Sequence, residues 1–230
     1  MVVYKLIKIF FKSFQGAIPE LFTTEEVYTA WSDIIITVIK TPVPPDYVAD
    51  KKNIFWKCKK VSYQTIIRIV QKFTSFKSKK VAEFKKMLNN KFLDNYYDVF
   101  TVIYTNYNNN QNYIEDSGKT YIYNFYNCLL SKKKFKERVS NLFMNNDNLL
   151  NEIIKDNMLN SQDLELWVND PKSYISQKME EIGLMHTKRY SASKFLSGLL
   201  SYKQQIDKKG KKQLICYKKI FEYLCKTCIN

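Results

Sequence analysis

Residues 132–167 read KKKFKERVSNLFMNNDNLLNEIIKDNMLNSQDLELW, and they carry the most regular helical pattern of the chain. Apolar residues recur at three- and four-residue spacing on both sides of the polar turn MNNDN, which is typical of two amphipathic helices in series. Ser161, followed by Asp163 and Glu165, then indicates the start of a third helix, because a serine hydroxyl and acidic side chains both stabilise a helix N-terminus. The stretch predicts an all-α fold built from helical bundles.

Composition supports the same fold class. The chain has 230 residues, of which 45% are hydrophobic, so a packed core is expected. It contains only five glycines and five prolines. Such sparse turn residues favour long helices joined by polar loops over an all-β or doubly wound fold.

Three segments are predicted along the chain. Residues 1–75 form an N-terminal helical unit interrupted by the proline-rich loop TPVPPDYVADKKN at 41–53. Residues 77–182 form a central helical domain, and residues 190–230 form a basic helical tail. Within the first unit we expect an amphipathic helix over 2–14, whose apolar stripe packs on the protein rather than on a membrane.

Helix start signals define the next expectations. Thr23 and Glu26 have the spacing of a capping box, which predicts a helix that ends near Lys40, before the prolines. A further helix is expected to open at Ser62 or Tyr63. The last segment, LICYKKIFEYLC, has the spacing of a helix and is also compatible with the start of a strand.

The net charge is +15 and the isoelectric point is about 9.4, which suits nucleic acid, an acidic protein surface or an anionic membrane. The only arginines are Arg68, Arg138 and Arg189. Because arginine is the preferred residue for bidentate contacts to bases and phosphates, its scarcity argues against a surface that reads nucleic-acid sequence. No run of 18 apolar residues is present, so no membrane span is expected.

The cysteines suggest reduced thiols. Their number is five and no secretory signal is evident, so an intracellular, reducing location is expected. Cys225 and Cys228 have C-x-x-C spacing, which makes them weak metal candidates, but two core thiols on one helix are the favoured interpretation.

Catalytic patterns are absent from the sequence. His186 is the only histidine and falls in an expected loop. The chain has no glycine-rich phosphate loop, no G-x-S-x-G and no H-E-x-x-H. We therefore expect neither an enzyme nor a cofactor.

Residues 77–182 resemble the central domain of transcription elongation factor S-II (TFIIS), a small helical bundle. The resemblance rests on KKVAEFKKML at 79–88 and on FKERVSNLFMNNDNLLNEIIKDNML at 135–159. Two departures are clear: Ser140 stands where the family has a second arginine, and Asp156-Asn157 stands where the family has a glycine that caps a helix.

The resemblance implies a protein that docks on a multisubunit RNA polymerase. It implies action at a nuclear or cytoplasmic site of transcription. The family's zinc ribbon, with its acidic pair, has no counterpart here, so the expected function is that of a non-catalytic elongation-factor-like protein. The expected partner-binding residues are the cations at the start of the signature, Lys132, Lys133, Lys134, Lys136 and Arg138.

Two alternatives stay open. The chain is also compatible with a basic, winged-helix-like nucleic-acid-binding protein, in which helix 191–205 precedes a basic turn that contacts phosphates through Lys208, Lys209, Lys211 and Lys212. It is equally compatible with a structural or scaffold subunit of a virion or large complex, since 15% of its residues are aromatic and aromatic side chains suit large interfaces.

Overall fold

A computed structural model of the chain describes residues 2–16, 19–50, 52–75, 81–105, 116–158, 161–183, 187–202, 204–205, 212–213 and 215–229. The fold is all-α, which confirms the fold class expected from the sequence. The chain divides into two compact units, Met1–Ile122 and Tyr123–Asn230. The boundary lies inside the predicted 77–182 domain, and the three-segment division stays a prediction.

Within the described ranges, the first unit contains five complete helices. These are α1 (Val2–Ser13), α2 (Glu25–Lys40), α3 (Ile54–Ser75), α4 (Ala82–Met87) and α5 (Leu93–Thr105). A single π-helical turn, Leu88–Phe92, joins α4 to α5. Short 3₁₀ turns at Glu20–Thr23 and Pro45–Tyr47 precede α2 and α3. The helix α6 (Asp116–Leu130) begins in this unit and continues into the second.

Aromatic rings fill the core of the first unit. Phe10 stacks on Trp31 with 4.6 Å between ring centroids, and Phe14 meets Phe73 edge-on at 6.0 Å. The hydroxyl of Tyr96 lies 2.9 Å from that of Tyr28 and 3.0 Å from that of Ser32, so three buried hydroxyls satisfy one another. These contacts fix α1, α2, α3 and α5 around one core.

The second unit continues with α7 (Lys133–Met144), α8 (Asp147–Asn157), α9 (Ser161–Asn169), α10 (Pro171–Gly183), α11 (Lys188–Leu200) and α12 (Ile215–Ile229). Tyr126, Phe143 and Phe195 form its central ring cluster, with centroids 4.9–5.8 Å apart. Two-residue strands, β1 (Gln204–Gln205) and β2 (Lys212–Gln213), pair antiparallel between α11 and α12. The helix expected for LICYKKIFEYLC is confirmed by α12, whereas β2 ends at Gln213, before that segment begins.

Helix starts are the main corrections. The capping box at Thr23 is wrong: α2 begins at Glu25 after Thr24, and the Thr23 hydroxyl instead donates to the carbonyl of Glu20 at 2.6 Å. The start at Ser62 or Tyr63 is also wrong, because α3 begins at Ile54. There the Asn53 side chain accepts from the Phe55 amide at 3.0 Å. The hydrogen bonds of Thr23 and Asn53 are made within the 3₁₀ turn or loop that precedes each helix. The spacing of apolar residues does not detect such local bonds between side chain and backbone.

Candidate functional site

The helices α9 and α10 form a hairpin with a one-residue connection at Asp170. The Asp170 carboxylate accepts from the backbone amide of Ser173 at 3.1 Å and from its hydroxyl at 2.6 Å. These hydrogen bonds lower the pKa of Asp170. Asp170 is therefore the N-cap of α10, and Pro171 occupies the first helical position, where its missing amide is not needed.

A buried carboxylate fixes the hairpin to the rest of the unit. Asp163 on α9 is 5% exposed. It pairs with Lys178 of α10 at 2.6 Å and with Arg189 of α11 at 2.5 Å. Arg189 also donates to the carbonyl of Met158 at 2.9 Å, at the end of α8. One acidic side chain thus connects three helices, which is the usual arrangement for a buried charge.

A second acidic side chain repeats this arrangement one helix earlier. Asp156 on α8 accepts from the hydroxyl of Tyr123 at 2.7 Å and pairs with Lys188 at 3.1 Å. The start of α11 therefore places two consecutive cations, Lys188 and Arg189, on two buried carboxylates. Among the described side chains of α9 and α10, Asp163 is the buried one, and its ion pair with Arg189 joins the hairpin to α11.

The hairpin presents an apolar face to solvent. Val168 is 76% exposed and Met179 is 68% exposed, while Leu164, Trp167 and Ile175 are each about half exposed. Monomeric proteins scatter such residues singly, and a cluster of them marks an interaction surface. We call this cluster of five residues the hairpin face.

Helix geometry puts four of the five members of the hairpin face on one side. The two helices meet through Asp163 and Lys178 and through the rings of Trp167 and Tyr174, 5.2 Å apart. Each of the four outer aliphatic residues follows one of these meeting residues by one position, a rotation of about 100°. Since the helices run in opposite directions, equal rotations turn the four side chains to the same face. They are Leu164, Val168, Ile175 and Met179.

The cations predicted to bind a partner lie on the first half of α7. Lys133 and Lys134 are exposed, and Lys132 and Lys136 are partly covered. The Lys136 ammonium lies 5.4 Å from the ring of Tyr202, and the Arg138 guanidinium lies 5.5 Å from the ring of Phe135. Part of this charge therefore covers aromatic surface within the unit.

The tail candidates fall largely beyond the residues that the structure describes. Lys208, Lys209 and Lys211 lie outside the described ranges, and Lys212 is described only as part of β2. Cys225 is partly buried on α12, and the side chain of Cys228 is not among those described. Within the described ranges, no three histidine, cysteine or acidic residues are grouped to hold a metal ion. His186 also lies outside those ranges.

Several lysines have a structural task that the sequence does not reveal. The Lys59 ammonium donates to the carbonyl of Ile39 at 2.6 Å, near the end of α2, and burial lowers the pKa of Lys59 to about 8. Lys72 donates to the carbonyls after α1, including that of Phe14 at 3.2 Å, and Lys219 donates to that of Met144 at the end of α7. Each places a cation at the negative end of a neighbouring helix.

Sequence reasoning missed the hairpin face and its anchor. It identified Ser161, Asp163 and Glu165 as the start of α9, but assigned Asp163 to the helix terminus rather than to Lys178 and Arg189. The signal present in the sequence was a set of four apolar residues, each one position after a residue at which α9 and α10 meet. These four residues are Leu164, Val168, Ile175 and Met179, and they lie outside the contact between the two helices. Among the described helices, none is both long and apolar enough to cross a bilayer.

Comparison with known proteins gives distant similarities. The chain is 23% identical over 187 residues to Importin-8 of Mus musculus. It is 26% identical over 190 residues to Nonsense-mediated mRNA decay protein 5 of Saccharomyces cerevisiae. These matches cover 76% and 78% of this chain but only 18% of either relative, so the chain spans less than a fifth of their length. No protein-family model and no solved structure matches the chain.

Proposed function

We propose that the chain is a non-catalytic protein-binding segment of an importin-like carrier, and that it docks a helix of its partner protein on the hairpin face. The observation that carries the proposal is the exposure of four large apolar side chains on one side of the hairpin, beside the half-exposed ring of Trp167. Burying such a side chain contributes about 1–2 kcal/mol. A few of them are enough for a specific interface, since a handful of apolar and aromatic anchors dominate binding energy.

The form of the face favours a helical partner. Leu164 and Val168 are four residues apart, and so are Ile175 and Met179. Rows of side chains at this spacing form ridges that pack into the grooves of another helix. Partners recognised in this way present an amphipathic helix with anchors at i, i+4 and i+7. Met179 adds a flexible side chain that adapts to the partner's surface.

The comparisons support the class of protein. One relative is named an importin and the other an mRNA decay protein, and both align with about three quarters of this chain. Neither name denotes an enzyme. Because the chain corresponds to a small part of each, the cargo or partner of the whole protein is not inherited with the similarity.

Docking on a multisubunit RNA polymerase stays a prediction about the partner's identity. It assigns the contact to the cations Lys132, Lys133, Lys134, Lys136 and Arg138 at the start of α7, of which Lys133 and Lys134 are exposed. Purified polymerase is therefore a useful probe, because the two surfaces lie on different helices and can be altered separately.

A photo-crosslinking amino acid at position 168 tests the proposal. Val168 is the most exposed member of the hairpin face, and Gln177 provides a matched control, since it is exposed on the opposite side of the same hairpin. The expected result is a protein adduct at 168 and none at 177, in cells and again with the purified partner. Adducts at neither position, or equal adducts at both, would overturn the proposal. An adduct with polymerase that depends on Lys133 and Lys134 would favour the polymerase prediction instead.

A further inference from the structure

The helices α1 and α3 form a pair that carries only positive charge. Their 12 and 22 residues include eight cations and neither aspartate nor glutamate. Among the described helices, α11 also lacks acidic residues but has only three cations, so α1 and α3 hold the larger acid-free group of positive charge. Like charges held together destabilise the folded state, so an acid-free surface suggests that an anionic partner compensates it.

Three of the eight cations already have a structural role. Lys59 and Lys72 donate to carbonyls at the ends of α2 and α1. Arg68 lies over the ring of Phe11, 4.5 Å from its centroid. The other five are exposed, and the ammonium of Lys8 lies 5.5 Å from the ring centroid of Tyr4, one helical turn earlier. The five exposed lysines are Lys5, Lys8, Lys12, Lys57 and Lys60.

Apolar side chains lie among the α1 lysines. Of the stripe expected to pack on the protein, Ile7, Phe10 and Phe14 are buried, whereas Val3 and Leu6 are 47% and 44% exposed. Val2, Leu6 and Ile9 form a second strip that stays 44–71% exposed. At 100° per residue this strip borders the row of Lys5 and Lys12. The outer surface of α1 is thus half apolar and half basic, and we call it the α1 face.

This combination discriminates between anionic partners. Phosphates of nucleic acid offer nothing to Val2, Leu6 and Ile9, and arginine rather than lysine is the preferred residue there. A helix that lies in a membrane surface buries its main apolar face in the lipid, whereas α1 packs Ile7 and Phe10 into the protein core. An acidic amphipathic helix is complementary to both halves of the face. Its apolar residues can pack on the apolar strip, and its carboxylates can pair with the lysines.

We propose that the α1 face is a second docking surface, which binds an acidic amphipathic helix of a partner protein. The α1 face belongs to the first unit and is basic, so it requires an acidic partner. The hairpin face belongs to the second unit and consists of uncharged side chains. The proposal is therefore independent of the proposed function. Failure of either surface leaves the other intact.

A peptide titration with the full chain tests this proposal. The probe is a fluorescent peptide of about 16 residues with leucine along one helical face and glutamate on both flanks, long enough to form a helix on binding. We expect saturable binding that weakens with salt. Changing Lys5→Glu together with Lys12→Glu should weaken binding about tenfold, since rim charges oppose the probe's carboxylates. Ile9→Ser should also weaken it.

Controls separate the α1 face from general basicity. Lys86→Glu with Lys155→Glu makes the same charge change at exposed positions on other helices and should leave the affinity within about twofold. Val102→Ser is the control for Ile9→Ser, since Val102 is 55% exposed on α5. Urea midpoints of all variants establish that they are folded.

Four outcomes would overturn the proposal. The first is no binding of the probe, and the second is equal binding of its glutamate-to-lysine version. The third is an effect of the control pair as large as that of Lys5→Glu with Lys12→Glu. Tighter binding of phosphatidylserine vesicles or of duplex RNA, lost in the same α1 variants, would reject a protein partner in favour of that anion.

Discussion

Replacing Asp163 by asparagine should release the α9–α10 hairpin from the second unit. The carboxylate is buried and pairs with Lys178 at 2.6 Å and Arg189 at 2.5 Å. Breaking a buried ion pair costs about 3–5 kcal/mol when the partner charge is left uncompensated. Here the two partner side chains are 17% and 26% exposed and can reach water, which reduces the penalty. We expect a loss of about 2–3 kcal/mol.

Hydrogen exchange is the assay that locates this loss. Because the hairpin depends on Asp163 more than on a core of its own, Asp163→Asn should raise amide exchange over 161–183 by about 30- to 150-fold. Exchange in α7 should change little. Asp147→Asn is the matched control, since its carboxylate is 74% exposed and its pair with Lys219 should contribute less than about 1 kcal/mol. Unchanged exchange over 161–183 would refute the idea that Asp163 anchors the hairpin.

The remaining predictions concern the first unit. Burial lowers the pKa of Lys59 to about 8 in the folded state. The unfolded chain therefore binds the extra proton between about pH 8 and 10.4, and Lys59 should make stability rise with pH there. Urea unfolding at pH 7.5 and 9.5 should show this rise in the wild type and not in Lys59→Met, and equal slopes would contradict it. Tyr96→Phe should cost about 1–3 kcal/mol in urea unfolding, because the buried hydroxyls of Tyr28 and Ser32 both lose a partner. A cost below that of Tyr47→Phe, an exposed control, would contradict the network.

Periodicity predicted the helices well where one apolar stripe is buried. The helix ending near Lys40 and the two helices on either side of MNNDN follow directly from the spacing of their apolar residues. The start of α3 was missed because its first turns mix aromatic residues with lysines, IFWKCKK, and Lys59 is itself largely covered. A lysine that serves as the cap of another helix looks, in sequence, like a residue on a solvated surface.

The candidate site was less predictable than the fold. Two features of the site depend on contacts between residues that are separated in sequence. The Asp163 carboxylate pairs with Arg189, 26 residues away, and the hairpin is formed by contacts such as that of Trp167 with Tyr174. The basic candidates illustrate the converse. Lys136 and Arg138 look like ligands for an anion in sequence, yet their charges lie over Tyr202 and Phe135. Local patterns thus located the charges but not their partners.

The most direct test of the central claim is the affinity of the purified partner, once captured through position 168, for three forms of the chain. The forms are the wild type, Val168→Asp and Gln177→Asp, measured by calorimetry at equal salt. The hairpin face predicts that Val168→Asp binds at least about tenfold more weakly, because it buries a charge in an apolar contact. Gln177→Asp should bind within about twofold of the wild type. Equal affinities for Val168→Asp and the wild type would contradict the account.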